Sequence, residues 1–140
     1  MDYWLMKSEP EVFSYDDLVK NGTEKWDGVR NYAARNNLRD MGVGDEALFY
    51  HSNAGKQTGV AGICKIVKAA EPDETFVPEA GKANPWVVVT VAPVRKLKRV
   101  VTLAELREVK GLEGMELFKY GRLSVQKVTA AEWAVVVGLE

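Results

Sequence analysis

Ala47-Leu48-Phe49-Tyr50-His51-Ser52, the glycine-rich Asn53-Ala54-Gly55-Lys56-Gln57-Thr58-Gly59 and the run Val60 through Lys68 together decide the fold. Aromatic and β-branched residues on both sides of an Asn/Gly/Thr loop read as two strands joined by a hairpin. A hairpin makes its strands antiparallel neighbours, so the sheet is built out from this pair. With Ser52 near Val60, the register sets Cys64 opposite Leu48.

Upstream, Gly44-Asp45 turns into the first of these strands from a helix predicted between Asn31 and Met41, with Gly42 just past its end. Ala34, Leu38 and Met41 share one face of that helix, while Asn31, Arg35 and Arg39 line another. Before it come a strand from Tyr3 to Lys7 and a short helix to about Lys20, opened by the capping box Ser14-Tyr15-Asp16-Asp17. Downstream, Glu71 to Pro85 reads as a loop, and Trp86-Val87-Val88-Val89-Thr90-Val91 as a core strand that Arg95 to Val100 extends past a kink at Pro93. Thr102 with Glu105 and Thr129 with Glu132 open helices over 103–109 and 130–137. Between them lie a helical turn near Met115 to Tyr120 and a last strand, Leu123 to Val128. Five or six strands among short helices, without regular β-α alternation, predict an α+β fold. Its sheet should be curled, mainly antiparallel and barrel-like, in a single domain over residues 1–140.

Bulk composition narrows the function. A chain of 140 residues that is 46% hydrophobic and 28% charged can bury one core unaided, and no apolar run reaches membrane-spanning length. No signal-peptide pattern follows Met1, so the cytoplasm is the expected compartment. One cysteine and one histidine cannot form a disulfide or a clustered metal site, and no cofactor is implied. The net charge of −1 argues against general nucleic-acid coating, but leaves room for a locally basic surface that grips a single nucleotide.

Three patterns that resemble catalytic or nucleotide motifs do not have the required arrangement. His51 and Ser52 are strand neighbours and point to opposite faces, so they make no nucleophile and base pair. Gly42-Val43-Gly44 follows a helix where a dinucleotide fingerprint must precede one, and Asn53 to Gly59 lacks the Walker spacing. Arg95 to Arg99 holds four cations in five residues, which fits a solvated strand face better than a backbone groove.

Trp26-Asp27-Gly28-Val29-Arg30-Asn31-Tyr32 is the chemically richest segment. It sets aromatics, an amide and a guanidinium at the mouth of a helix, a combination suited to a nucleobase and its phosphate. Trp4 and Trp133 sit in periodic apolar segments and read as core, whereas Trp26 is equally a loop plug or a stacking platform.

The chain resembles the EVE domain family. The match runs through Tyr3-Trp4-Leu5-Met6-Lys7-Ser8-Glu9-Pro10, Trp26 to Asn36, Ala47 to Asn53, Gly59-Val60-Ala61-Gly62, Asn84-Pro85-Trp86 and Arg122-Leu123-Ser124-Val125-Gln126. The Pro72 to Pro85 segment is shorter than the family's usual loop. The resemblance implies a PUA-like pseudobarrel and a non-enzymatic role in recognising modified bases of DNA or RNA. Bacterial members are thought to work in defence or RNA metabolism, which implies partners in such systems. The implied pocket comprises Lys7, Ser8, Trp26, Val29, Arg30, Asn31, Tyr50, His51, Ser52 and Asn53.

On this reading one flipped or unpaired base stacks on Trp26, opposed by Tyr50 or Trp86, while Ser8, Asn31, Ser52 or Asn53 reads its edge. Lys7, Arg30, Arg35 and Arg39 hold phosphates, and replacing Trp26 with alanine should remove binding at little cost to folding. The competing classes are a small-molecule enzyme using His51 as acid and base, and a protein-interaction module.

Overall fold

The structure is a computed structural model that describes residues 1–140. Six strands form one open mixed sheet: β1 Tyr3–Ser8, β2 Glu24–Lys25, β3 Glu46–His51, β4 Gly59–Pro72, β5 Val87–Thr102 and β6 Val125–Val128. Their order is β2-β5-β4-β3-β1-β6. Four of the five pairings are antiparallel, as expected, but β1 and β3 run parallel. That parallel pair needs a long crossover. The chain supplies it through helix α1 (Tyr15–Asn21), β2 and helix α2 (Tyr32–Asp40).

The predicted hairpin is β3 with β4, but Val60 pairs with Tyr50, two residues from the expected register, and a bulge between Phe49 and Tyr50 reduces the offset to one. Cys64 therefore faces Ala47 rather than Leu48, and burial pushes its thiol up to about 12. Further register shifts interrupt β4 against β5 in four places. Bulges bend and twist a strand pair, which lets these long strands curl instead of lying flat.

Alternation along the strands builds two cores. Trp4, Met6, Ala47, Phe49, Val89 and Val91 face one side, where α1 and α2 cover them with Leu18, Ala34 and Leu38. Leu5, Leu48, Tyr50 and Leu97 face the other. There α3 (Leu103–Arg107), α4 (Glu116–Lys119) and α5 (Ala130–Gly138) contribute Leu106, Leu117 and Val136. Gly62 leaves the space that the Tyr15 ring fills, and the Tyr15 hydroxyl donates to the Ile63 carbonyl at 2.7 Å.

Both reciprocal capping boxes expected at Ser14/Asp17 and Thr129/Glu132 are formed. At Thr102 the hydroxyl accepts from Glu105 N, but the Glu105 carboxylate is taken by Arg99 instead. Three of the four cations in the β5 run are matched: Arg95 pairs with Glu140, Lys96 with Asp16 and Arg99 with Glu105. It is a largely neutralised strand face, not a groove for a phosphate backbone. No helix is long and apolar enough to cross a membrane.

Candidate nucleic-acid interface

Trp26 follows β2, whose two residues pair with Val91 and Thr90 of β5, and its own N–H donates to the Val89 carbonyl at 2.8 Å. The indole is 8% exposed and meets Phe49 edge-on at 5.5 Å. It is thus part of the core and, with one edge, a wall of a pocket of about 170 Å³. Ser8, Lys7, Phe13, Glu24 and Asp27 also line that pocket. The indole N–H has no protein partner, and the buried side-chain polar atoms closed off without one are Glu71 Oε1 and Gln126 Oε1. Trp26 Nε1 is therefore not sealed from solvent.

The second aromatic of this pocket is Phe13, held by the Ser8 hydroxyl, which donates to the Phe13 carbonyl at 2.5 Å. Neither residue expected to oppose Trp26 does so. Tyr50 is on the opposite face of β3, one residue from Phe49. Trp86 packs on Tyr32 at 4.8 Å and against Phe76 at 6.4 Å.

The other predicted residues divide by what holds them. His51 Nε2 accepts from Tyr15 N at 3.1 Å at the start of α1, so the ring is neutral with its proton on Nδ1. Ser52 N donates to Ser8 O at 3.0 Å, and Asn53 donates to Glu9 Oε1 at 2.7 Å from a left-handed φ of 52°. These contacts lock the turn after β3 onto the end of β1. Val29 is buried in the core, and Asn31 is the cap of α2, its Oδ1 accepting from Ala34 N at 2.9 Å. Asn31 lines a separate recess of about 440 Å³ with Tyr120 and Arg122.

Arg30 is engaged rather than free for phosphate. It donates to the fully buried Asp73 at 2.9 Å and lies over the rings of Phe76 and Trp86 at 5.3 and 5.7 Å. Arg35 donates to the Pro85 carbonyl and covers Tyr32, while Arg39 is exposed on α2. Lys7 donates to the Gly121 carbonyl at 2.7 Å and has no carboxylate partner. Burial lowers its pKa.

Asp73 is the organising residue that the sequence did not reveal. Its carboxylate accepts from Gly28 N, Arg30, Thr75 N and the Thr75 hydroxyl, tying the loop after Trp26 to the loop before β5. Burial alone would raise its pKa, but hydrogen bonds from Arg30, Thr75 and Gly28 outweigh that and hold the carboxyl well below the usual carboxylate range. Asp73→Asn should cost about 2 kcal/mol, the scale of a lost hydrogen bond to a charged group. Urea unfolding checks this; an unchanged midpoint would show that the cluster does not bear on stability.

His51 is the single histidine, the side chain that ordinarily changes charge near neutral pH. Burial lowers its pKa from 6.5, with Asp16 opposing and Lys96 assisting. A depressed histidine favours folding above the unfolded value, and that contribution is lost as pH falls through the folded value. Stability should therefore decline on acidification below about 6.5, by at most about 1.4 kcal/mol per pH unit. His51→Phe should flatten this part of the stability profile, and a slope equal to that of the native protein would assign it elsewhere.

The recess brings together two aromatic surfaces, two lysines and two carboxylates, beside an indole N–H with no partner within the protein. Glu24 and Asp27 were not singled out in the sequence, although acids that accept from an exocyclic amine are a known way to read cytosine.

Comparison with known proteins gives the family. Thymocyte nuclear protein 1 of Danio rerio is 46% identical over 165 aligned positions, covering 98% of this chain and 71% of the relative. That alignment exceeds the 140 residues here, so the relative carries inserted residues. A hypothetical protein from Leishmania major superimposes with a TM-score of 0.92 at 49% identity, covering 99% of this chain and 94% of that one. The human THYN1 protein, solved in complex with DNA containing 5-methylcytosine, gives a TM-score of 0.93 at 42% identity, with 99% and 97% covered. The EVE domain model matches residues 2–139, and the chain belongs to the EVE domain family.

Proposed function

We propose that this protein is a non-catalytic reader of DNA bearing a modified cytosine, which takes one unstacked base into the pocket between Trp26 and Phe13. The observation that supports it best is the pocket itself: two rings, two lysines and two carboxylates line one recess at the ends of β1 and β2. Trp26 and Phe13 supply apolar contact to the ring, Asp27 or Glu24 accepts from the exocyclic amine, and Lys7 lies beside the strand. The human relative's complex with methylated DNA adds weight to cytosine as the base. An acid-base role for His51 is disfavoured because Nε2 is already occupied by the Tyr15 N–H.

Magnitudes limit what such a pocket can achieve. Stacking contributes about 1–3 kcal/mol per base, similar to the few kcal/mol needed to extrude one from a duplex. A buried methyl adds only ~0.8 kcal/mol, so 5-methylcytosine should be preferred over cytosine by less than tenfold. The test is a titration of duplex and single-stranded DNA and RNA carrying cytosine, 5-methylcytosine or 5-hydroxymethylcytosine at two salt concentrations. Salt-dependent binding that favours a modified base supports the reading. Equal affinity for every base would remove it, and stronger binding of RNA would reassign the substrate.

A further inference from the structure

β1 and β3 end side by side, with Lys7 opposite Tyr50 and Ser8 opposite His51. Successive residues turn to opposite faces, so Ser8 and His51 join the Trp26 side while Lys7 and Tyr50 turn to the other. On that side lies a second pocket, about 270 Å³, bounded by Lys7, Tyr50, Arg107, Leu117 and Phe118.

Three polar groups around this pocket have no carboxylate partner. Tyr50 is 3% exposed, yet its hydroxyl makes no hydrogen bond and is not among the side-chain atoms sealed from solvent. Arg107, at the end of α3, makes no ion pair, and Lys7 is bonded only to a backbone carbonyl. Two cations without a carboxylate and a phenol hydroxyl around one space form a donor set suited to an anion.

We infer that the pocket of Lys7, Tyr50 and Arg107 binds a phosphate of the strand whose base lies against Trp26, an inference that rests on the function proposed above. Lys7 borders both pockets, so the strand passes round the ends of β1 and β3 with its base on one face and its phosphate on the other. Phosphate suits the donor set because its oxygens can accept from a guanidinium, an ammonium and a phenol at once.

Arg107→Gln and Tyr50→Phe test this, since Arg107 is exposed and the Tyr50 hydroxyl has no partner to lose on folding. Each should weaken binding of methylated and unmethylated oligonucleotides alike, by about tenfold, leaving the preference between them unchanged. Arg107→Gln should also reduce the slope of log K against log salt by about 0.9 on duplex or about 0.7 on single strands. In NMR titrations inorganic phosphate should shift the Tyr50 signals of the native protein and not those of Arg107→Gln. Native affinity and slope in both variants, alongside loss of binding in a Trp26 variant, would overturn the phosphate site and leave the base reading intact. A native protein that binds no oligonucleotide overturns the proposed function. Tight binding of 5-methyldeoxycytidine monophosphate with no gain from a longer strand would overturn the strand contact in favour of a free nucleotide.

Discussion

Trp26→Ala should lose modified-base binding by about 5-fold to 150-fold, the equivalent of one stacking contact of about 1–3 kcal/mol. The substitution should also destabilise the protein by about 3–5 kcal/mol. The second effect departs from the expectation drawn from sequence, that folding would be nearly untouched. An indole 8% exposed and edge-on to Phe49 belongs to the core as much as to the pocket, so its removal leaves a cavity. Against a total stability of about 5–15 kcal/mol this removes a large share, so the melting temperature should fall and the folded fraction decides where binding can be measured. Affinity must therefore be measured well below that temperature, with circular dichroism showing the folded state. Trp26→Phe separates the two effects, because a smaller ring keeps an aromatic wall while losing the Nε1 donor. A folded Trp26→Ala protein with native affinity would remove this residue from the site.

Gly59→Ala should cost about 3 kcal/mol or more, at the upper end of overpacking effects. Gly59 is paired with His51 on one side and Thr102 on the other. A Cβ here would collide with the Val101 carbonyl and lie 2.6 Å from Thr102 Cα. Both obstacles are backbone, so β5 must shift away from β4 rather than a side chain turning aside. The damage should reach the binding pocket as well, since His51 ends β3 and anchors α1 through Tyr15 N. Gly114→Ala is the control, with nothing within 4 Å of the added carbon. Urea unfolding of the two variants decides the matter: similar midpoints would show that β4 and β5 do not approach so closely.

Elements with a short-range cause were legible. Ser14/Asp17 and Thr129/Glu132 form the reciprocal caps their spacing implied, and Ala34, Leu38 and Met41 are buried on one face of α2 or just beyond it. The β3–β4 hairpin followed from two strand-like runs around a glycine-rich loop. β2 was missed because two residues are too short to show a period, and the parallel β1–β3 pair because pairing direction leaves no mark on either strand. The one-residue bulge at Phe49/Tyr50 was invisible for a similar reason.

The candidate site was legible in its segments but not in its partnerships. Lys7, Ser8 and Trp26 do line one pocket, yet its second ring is Phe13 rather than Tyr50 or Trp86, and Arg30 is occupied by Asp73. Whether a cation is free for a ligand depends on which carboxylate reaches it. That carboxylate lies 43 residues away for Arg30, and Arg99 finds one only six away.

By itself the sequence determined where helices begin and which positions alternate into a core, because caps, turns and periodicity act over a few neighbouring residues. Tertiary structure alone decided that Trp26 is both core and pocket wall, that Asp73 fastens the two loops, and that Lys7, Tyr50 and Arg107 meet without a counter-charge. Those are matters of desolvation and of distant groups brought together by strand pairing, and no local pattern encodes them.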